Sequence, residues 1–188
     1  MVGRVPPSAL AAGGGTSPEL RPVGEHDLPA LWRLAELAGH RWLRLWRAGP
    51  LDPARFATVL WQDVLALWMA ECPLGPVALV GVHGADFHDG TARLELVPVI
   101  EPAHAHHLLD AVVRQVVAVV AREWGFRHLY AERLALHEPP FAGVGAAAGE
   151  VGRLPAAVWA EGDHVDLVID DLDLSQVDAA VPVAAGVA

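Results

Sequence analysis

The sequence predicts an α/β fold: a mixed, mostly antiparallel sheet with one long helix crossing between its two central strands. Three observations predict it. Residues 103–124 place Leu108, Leu109, Val112, Val113, Val116, Val117 and Val120 at helical spacing, a broad apolar face suited to a sheet. Short β-rich runs bounded by turn residues lie on both sides of that helix. A chain of 188 residues that is 53% hydrophobic supplies one substantial core but not two.

In chain order, Glu19–Val23 reads as a short edge strand, where Pro22 removes no interior ladder bond. Leu28, Leu31, Leu34, Ala35 and Leu37 mark a helix over Glu25–Ala38 that Gly39 ends. Asp52 caps a second helix, with Pro53 as its first residue, running to about Asp63. Strands follow at Val64–Glu71, Pro76–His83 and Thr91–Ile100, joined by turns at Cys72–Gly75 and His88–Gly90. Gly125 supplies the left-handed stop of the long helix. Phe126–Leu134 reads as a buried strand, and Arg153–Ala160 with His164–Asp170 as a closing hairpin through Glu161-Gly162-Asp163. A strand, a helix and a parallel strand in one sheet require a right-handed crossover. Residues 1–18 read as a disordered leader, 19–174 as one domain and 175–188 as a flexible tail.

Composition excludes several classes. A net charge of −10, with 13 scattered basic residues, argues against nucleic acid as a partner, because phosphate neutralisation needs clustered cations. No apolar run approaches the roughly 20 residues of a membrane span, so no membrane partner is expected. A single cysteine, Cys72, and no convincing secretion signal suit a reducing, cytoplasmic setting.

The order of elements and several local phrases resemble the GNAT superfamily, the Gcn5-related N-acetyltransferases, over residues 19–174. The phrases are Leu20-Arg21-Pro22-Val23, Arg41-Trp42 ahead of Phe56 and Leu60-Trp61, Gly84-Ala85-Asp86-Phe87-His88-Asp89-Gly90, Leu129-Tyr130-Ala131-Glu132, and Glu150 with Gly152-Arg153-Leu154. They look most like a subgroup of actinobacterial GNAT proteins. The resemblance implies an acyltransferase that moves an acetyl or other acyl group from coenzyme A to a small-molecule acceptor, without a metal. It further implies that the fourth strand, at Val97 and Val99, holds the cofactor arm. His106 and His107 would lie at the phosphate end, and His137 where the family commonly has an asparagine.

One departure is specific. The family's Arg/Gln-x-x-Gly-x-Gly/Ala loop corresponds to Ala105–Asp110, which reads Ala-His-His-Leu-Leu-Asp, and no glycine occurs between Thr91 and Trp124. Close approach of a diphosphate to main-chain N–H groups needs glycine. A carboxylate such as Asp110 within roughly 4 Å of a phosphate costs about 4 kcal/mol at an effective dielectric near 20. The alternative reading is therefore a GNAT-fold protein that has lost coenzyme A binding and serves as a repurposed enzyme of specialised metabolism or as a ligand- or partner-binding protein.

Acyl transfer to an amine needs a base, and Glu95, Glu71, Asp86 and His88 are the side chains so placed in the predicted strands and hairpin; Glu132 shares the same chemistry. Strand alternation leaves the face of each carboxylate open. Trp42, Trp46 and Trp68 suggest an aromatic acceptor pocket in the N-terminal half. Trp42 and Trp46, interleaved with Arg41, Arg44 and Arg47, also suit a binding face or a homodimer contact. His104 and His107, with His83 or His88, have metal-ligand chemistry, yet a solvated helix start explains them as well, and no metal site is assigned.

Overall fold

A computed structural model describes residues 17–100, 106–145 and 147–177. The expected leader and tail therefore lie largely outside the described residues, as does His104. Pro18 is buried and its carbonyl accepts from Gln115 Nε2 at 2.7 Å, while Leu174–Gln176 form a 3-10 turn.

Seven strands form one sheet in the order β1-β2-β3-β4-β5-β7-β6. They are β1 (Glu19–Pro22), β2 (Val64–Cys72), β3 (Gly75–Asp86), β4 (Thr91–Pro98), β5 (His128–Leu134), β6 (Ala148–Ala160) and β7 (Asp163–Asp173). Among the described residues four α-helices accompany them: α1 (Leu28–Ala38), α2 (Leu43–Arg47), α3 (Pro53–Trp61) and α4 (His106–Glu123). Every neighbouring pair of strands is antiparallel except β4 and β5, which α4 connects. This is the predicted mixed sheet with its central crossover.

Alternation along the strands divides most of the core in two, with a smaller cluster of Leu43, Leu134, Ala160 and Leu167 beside them. Trp68, Ala78, Val80, Val82, Leu94, Leu129 and Ala131 face α4 and bury its seven apolar residues from Leu108 to Val120. On the other face Leu67, Met69, Leu79 and Val97 meet Leu31 of α1, Trp42, Leu45 of α2, and Phe56 and Leu60 of α3. The caps follow the local sequence: Asp52 accepts from Arg55 N at 2.8 Å ahead of Pro53, and Gly125, at φ 65°, ends α4.

Two elements differ most from the sequence expectation. The segment 43–47, unassigned from its pattern, is the short helix α2, whose Leu43 and Leu45 are buried. Strand β6 begins at Ala148 rather than Arg153, because Gly149 and Gly152 sit within the ladder to β7 and weaken the strand signal. That strand is the sheet edge, and its ladder is interrupted between Leu154 and Val158, where Ala156 adopts φ 48° and its N–H donates to Asp166 Oδ1 at 2.9 Å.

Candidate active site

Strands β4 and β5 pair only from Thr91↔His128 to Leu94↔Ala131. Beyond that register neither strand has the other as a partner, so the middle of the sheet opens. A cavity of about 410 Å³ fills the opening on the α4 side, between Leu94, Leu96, Leu109 and Ala131 and the segment that follows β5. A second, of about 240 Å³, lies on the α2 side. Arg41, Leu43, Leu94, Leu96 and Glu132 line both. The two cavities thus meet at the point where β4 and β5 part.

The main chain at this point is set by the β3–β4 register. Val99 N–H donates to Val77 O at 2.9 Å, and bonded pairs alternate along an antiparallel ladder. Val97 and Val99 therefore turn their main-chain groups toward β3, and the Val97 side chain is fully buried on the helix-α1 face. Leu96 and Pro98 are the residues whose main chain faces the opening, and Pro98 has no N–H to offer. By this one-residue alternation it is Leu96, rather than Val97 or Val99, whose main chain faces the opening.

On the α2 side the side chains are charged. Glu95 accepts from Arg44 Nε and Nη2, both at 3.2 Å, and Arg44 also donates to the carbonyls of Val59 and Leu60 at the end of α3. Both members of this pair are largely buried, so Glu95 is held as a fixed counter-ion. Glu132, on β5, pairs with Arg47 and lies 4.0 Å from Arg93 Nη1. His83, in register with Arg93, completes this wall. Burial holds its imidazole below the ordinary histidine range, against the opposing pull of the Glu95 charge, so it is neutral at neutral pH.

The larger cavity is closed by the segment after β5. Arg133 anchors it: Nε donates to Asp170 Oδ2 at 2.6 Å and Nη1 to the His137 carbonyl at 3.0 Å. The His137 ring stacks on His40 with centroids 5.4 Å apart, and burial, then the nearby His40, lowers its pKa to about 4. A 3-10 turn at Ala142–Val144 then packs on α4, where Arg114 Nη1 donates to Gly143 O at 2.6 Å. In the first turn of α4, His106 and His107 are exposed while Leu108 and Leu109 enter the core. Only His106 of the two histidines lines the cavity.

Of the four expected acid–base residues, Glu95 alone lies in the opening. Glu71 is at the far side of the sheet on β2, accepting from Arg21, which also binds Asp27. Asp86 accepts the main-chain N–H groups of His88 and Asp89 and so shapes the β3–β4 turn, leaving His88 exposed there. None of the three tryptophans lines either cavity. Trp42 is buried against Phe56, Trp68 stacks on Trp124 beneath α4, and Trp46 is half exposed. Trp42 and Trp68 went to the core, where their large area is best used. His83, Arg47 and Arg93 take the places in the wall that the tryptophans were expected to fill. Among the described residues no group of three or more His, Cys, Asp or Glu could hold a metal ion, and no helix is long and apolar enough to cross a membrane.

No protein-family model matches this chain, and no curated protein does. Solved structures do. The chain is similar to the spermidine N-acetyltransferase of Vibrio cholerae in complex with CoA and spermine, with a TM-score of 0.66 at 13% identity over 87% of this chain and 99% of that one. A putative phosphinothricin N-acetyltransferase gives 0.63 at 18% identity, over 85% of this chain and 100% of that one. A chimera of the Vibrio cholerae spermidine enzyme with hSSAT gives 0.66 at 14%, over 86% and 99%. At these identities the similarity establishes the fold, which is the one expected from the sequence.

Proposed function

We propose that this chain, with the fold of the N-acetyltransferases, transfers an acyl group from an acyl-CoA to a small amine. The observation that carries the reading is the parting of β4 and β5 after Leu94 and Ala131, where a larger cavity with a leucine-lined wall meets a smaller, charged one. Bound in the larger cavity, an acyl-CoA would supply the activated thioester.

The residues fit its arm better than its diphosphate. Leu94, Leu96, Leu109 and Ala131 offer a wall that excludes water, and the Leu96 main chain faces the opening. At the first turn of α4, His106 and His107 lie near the positive end of the helix dipole, but Asp110 opposes an anion there. Affinity should therefore be modest. In the smaller cavity, Glu132 holds the acceptor ammonium and the neutral His83 takes its proton, freeing the amine lone pair.

The test is titration calorimetry of the purified chain with acetyl-CoA and, separately, with free coenzyme A. Micromolar binding supports the reading. No heat at millimolar ligand overturns it and favours a GNAT-fold binding protein, the alternative to which Asp110 and the glycine-free first turn of α4 point.

A further inference from the structure

We infer that the amine accepted by the smaller cavity also carries an acid group, as an amino acid does, and is not a polyamine. The inference rests on the transfer reading for the role of that cavity. It makes a separate claim about what the cavity binds.

A site for a polyamine needs carboxylates that outnumber the local cations. Leaving Arg41 aside, three guanidiniums, Arg44, Arg47 and Arg93, line this cavity against two carboxylates, Glu95 and Glu132. One carboxylate is already committed, since Glu95 Oε2 takes both contacts from Arg44 and the pair is 10% and 16% exposed. What remains accessible is Glu132 between two arginines, Arg47 at 42% and Arg93 at 57% side-chain exposure. His83 adds no charge, because burial keeps it neutral.

That arrangement complements a zwitterion. The ammonium faces Glu132, and the acid group faces Arg93 and Arg47, whose planar forks bind carboxylate well. The 4.0 Å between Arg93 Nη1 and Glu132 Oε1 is a span that one carbon bearing both groups can bridge. The second and third ammonium groups of a polyamine would instead face arginines. A volume of about 240 Å³ also sets the scale at a single amino acid rather than a peptide or a long chain.

The experiment titrates the intact chain with L-amino acids, with the decarboxylated amine of each, and with spermidine, in the absence of any acyl donor. At least one amino acid is expected to bind about tenfold or more tightly than its decarboxylated partner, a difference of about 1.4 kcal/mol. Arg93→Ala should bring the two within about threefold of each other, with Arg93→Lys intermediate. Arg47→Ala provides a second variant, and a melting curve on each establishes that it is folded. Tighter binding of spermidine or of the decarboxylated amines, or no binding by any amino acid at millimolar concentration, overturns the inference. An Arg93→Ala chain with an unchanged preference does so too. Amino acid binding in a chain that takes up no acyl-CoA would sink the transfer reading and leave this one standing.

Discussion

The Asp110 carboxylate lies against the Cα of Gly143, so closely that a methyl group added there would stand 2.3 Å from Asp110 Cγ. This contact fastens the turn at Ala142–Val144 to the first turns of α4 and shapes one wall of the larger cavity. Gly143→Ala is expected to destabilise the chain by about 1–3 kcal/mol through overpacking. Asp110→Ala combined with Gly143→Ala should recover most of that loss. Urea unfolding of the single and double variants measures both.

Arg133 and Asp170 form an ion pair across β5 and β7 in which Asp170 is only 3% exposed. Removing one partner leaves a buried charge unmatched, so Arg133→Met should cost about 3–5 kcal/mol. Arg133→Met with Asp170→Leu should be much closer to the parent. Because Arg133 also holds the His137 carbonyl, the single variant is expected to expose the segment after β5 to proteolysis, which limited digestion would detect.

His137 carries a pH dependence of definite sign. Its folded pKa, about 4, lies below the value near 6.5 of an unfolded histidine, chiefly through burial. The unfolded chain therefore binds more protons than the folded one between those values. The stability is complete above about pH 6.5 and falls as the pH drops toward 4, by less than the full shift implies because solvent screens this half-buried ring. His137→Gln should flatten this part of the curve, as read from denaturant midpoints at pH 7, 5.5 and 4.5.

If the gap beyond Leu94 and Ala131 admits the arm of an acyl donor, Leu96→Trp should block it. Calorimetry with acetyl-CoA is then expected to show at least a tenfold weaker affinity, about 1.4 kcal/mol. The melting temperature should change little, since Leu96 is only partly buried at the edge of the α4-side core. Retained affinity would place the donor elsewhere.

Much of this fold was legible because it is local. The α4 residues from Leu108 to Val120 announce their buried face by spacing alone, and Asp52-Pro53 and Gly125 mark ends that main-chain geometry dictates. The wall of the smaller cavity was less legible. Whether Glu95 or Glu71 faces it depends on which strand is central and which face α2 covers, and neither follows from a period of two. Arg44 meets Glu95 from 51 positions away and Arg47 meets Glu132 from 85. Such pairs leave no trace in neighbouring residues. Trp42 and Trp68 misdirected the reading for the opposite reason, since aromatic bulk suits a core and a pocket equally.

The interruption of β6 near Ala156 bears on how the molecule behaves among copies of itself. A strand of 13 residues at a sheet edge, with Val151, Leu154 and Trp159 exposed, would otherwise be a template on which further strands could add without limit. The left-handed Ala156 and its tether to Asp166 break that template into two shorter pieces, with a register shift between Leu154 and Val158. The Arg153 bridges to Glu150 and Asp166 make separation from water costly beside the break. The irregular strand thus offers a poor template for further strands while keeping its ladder to β7 on either side of the break.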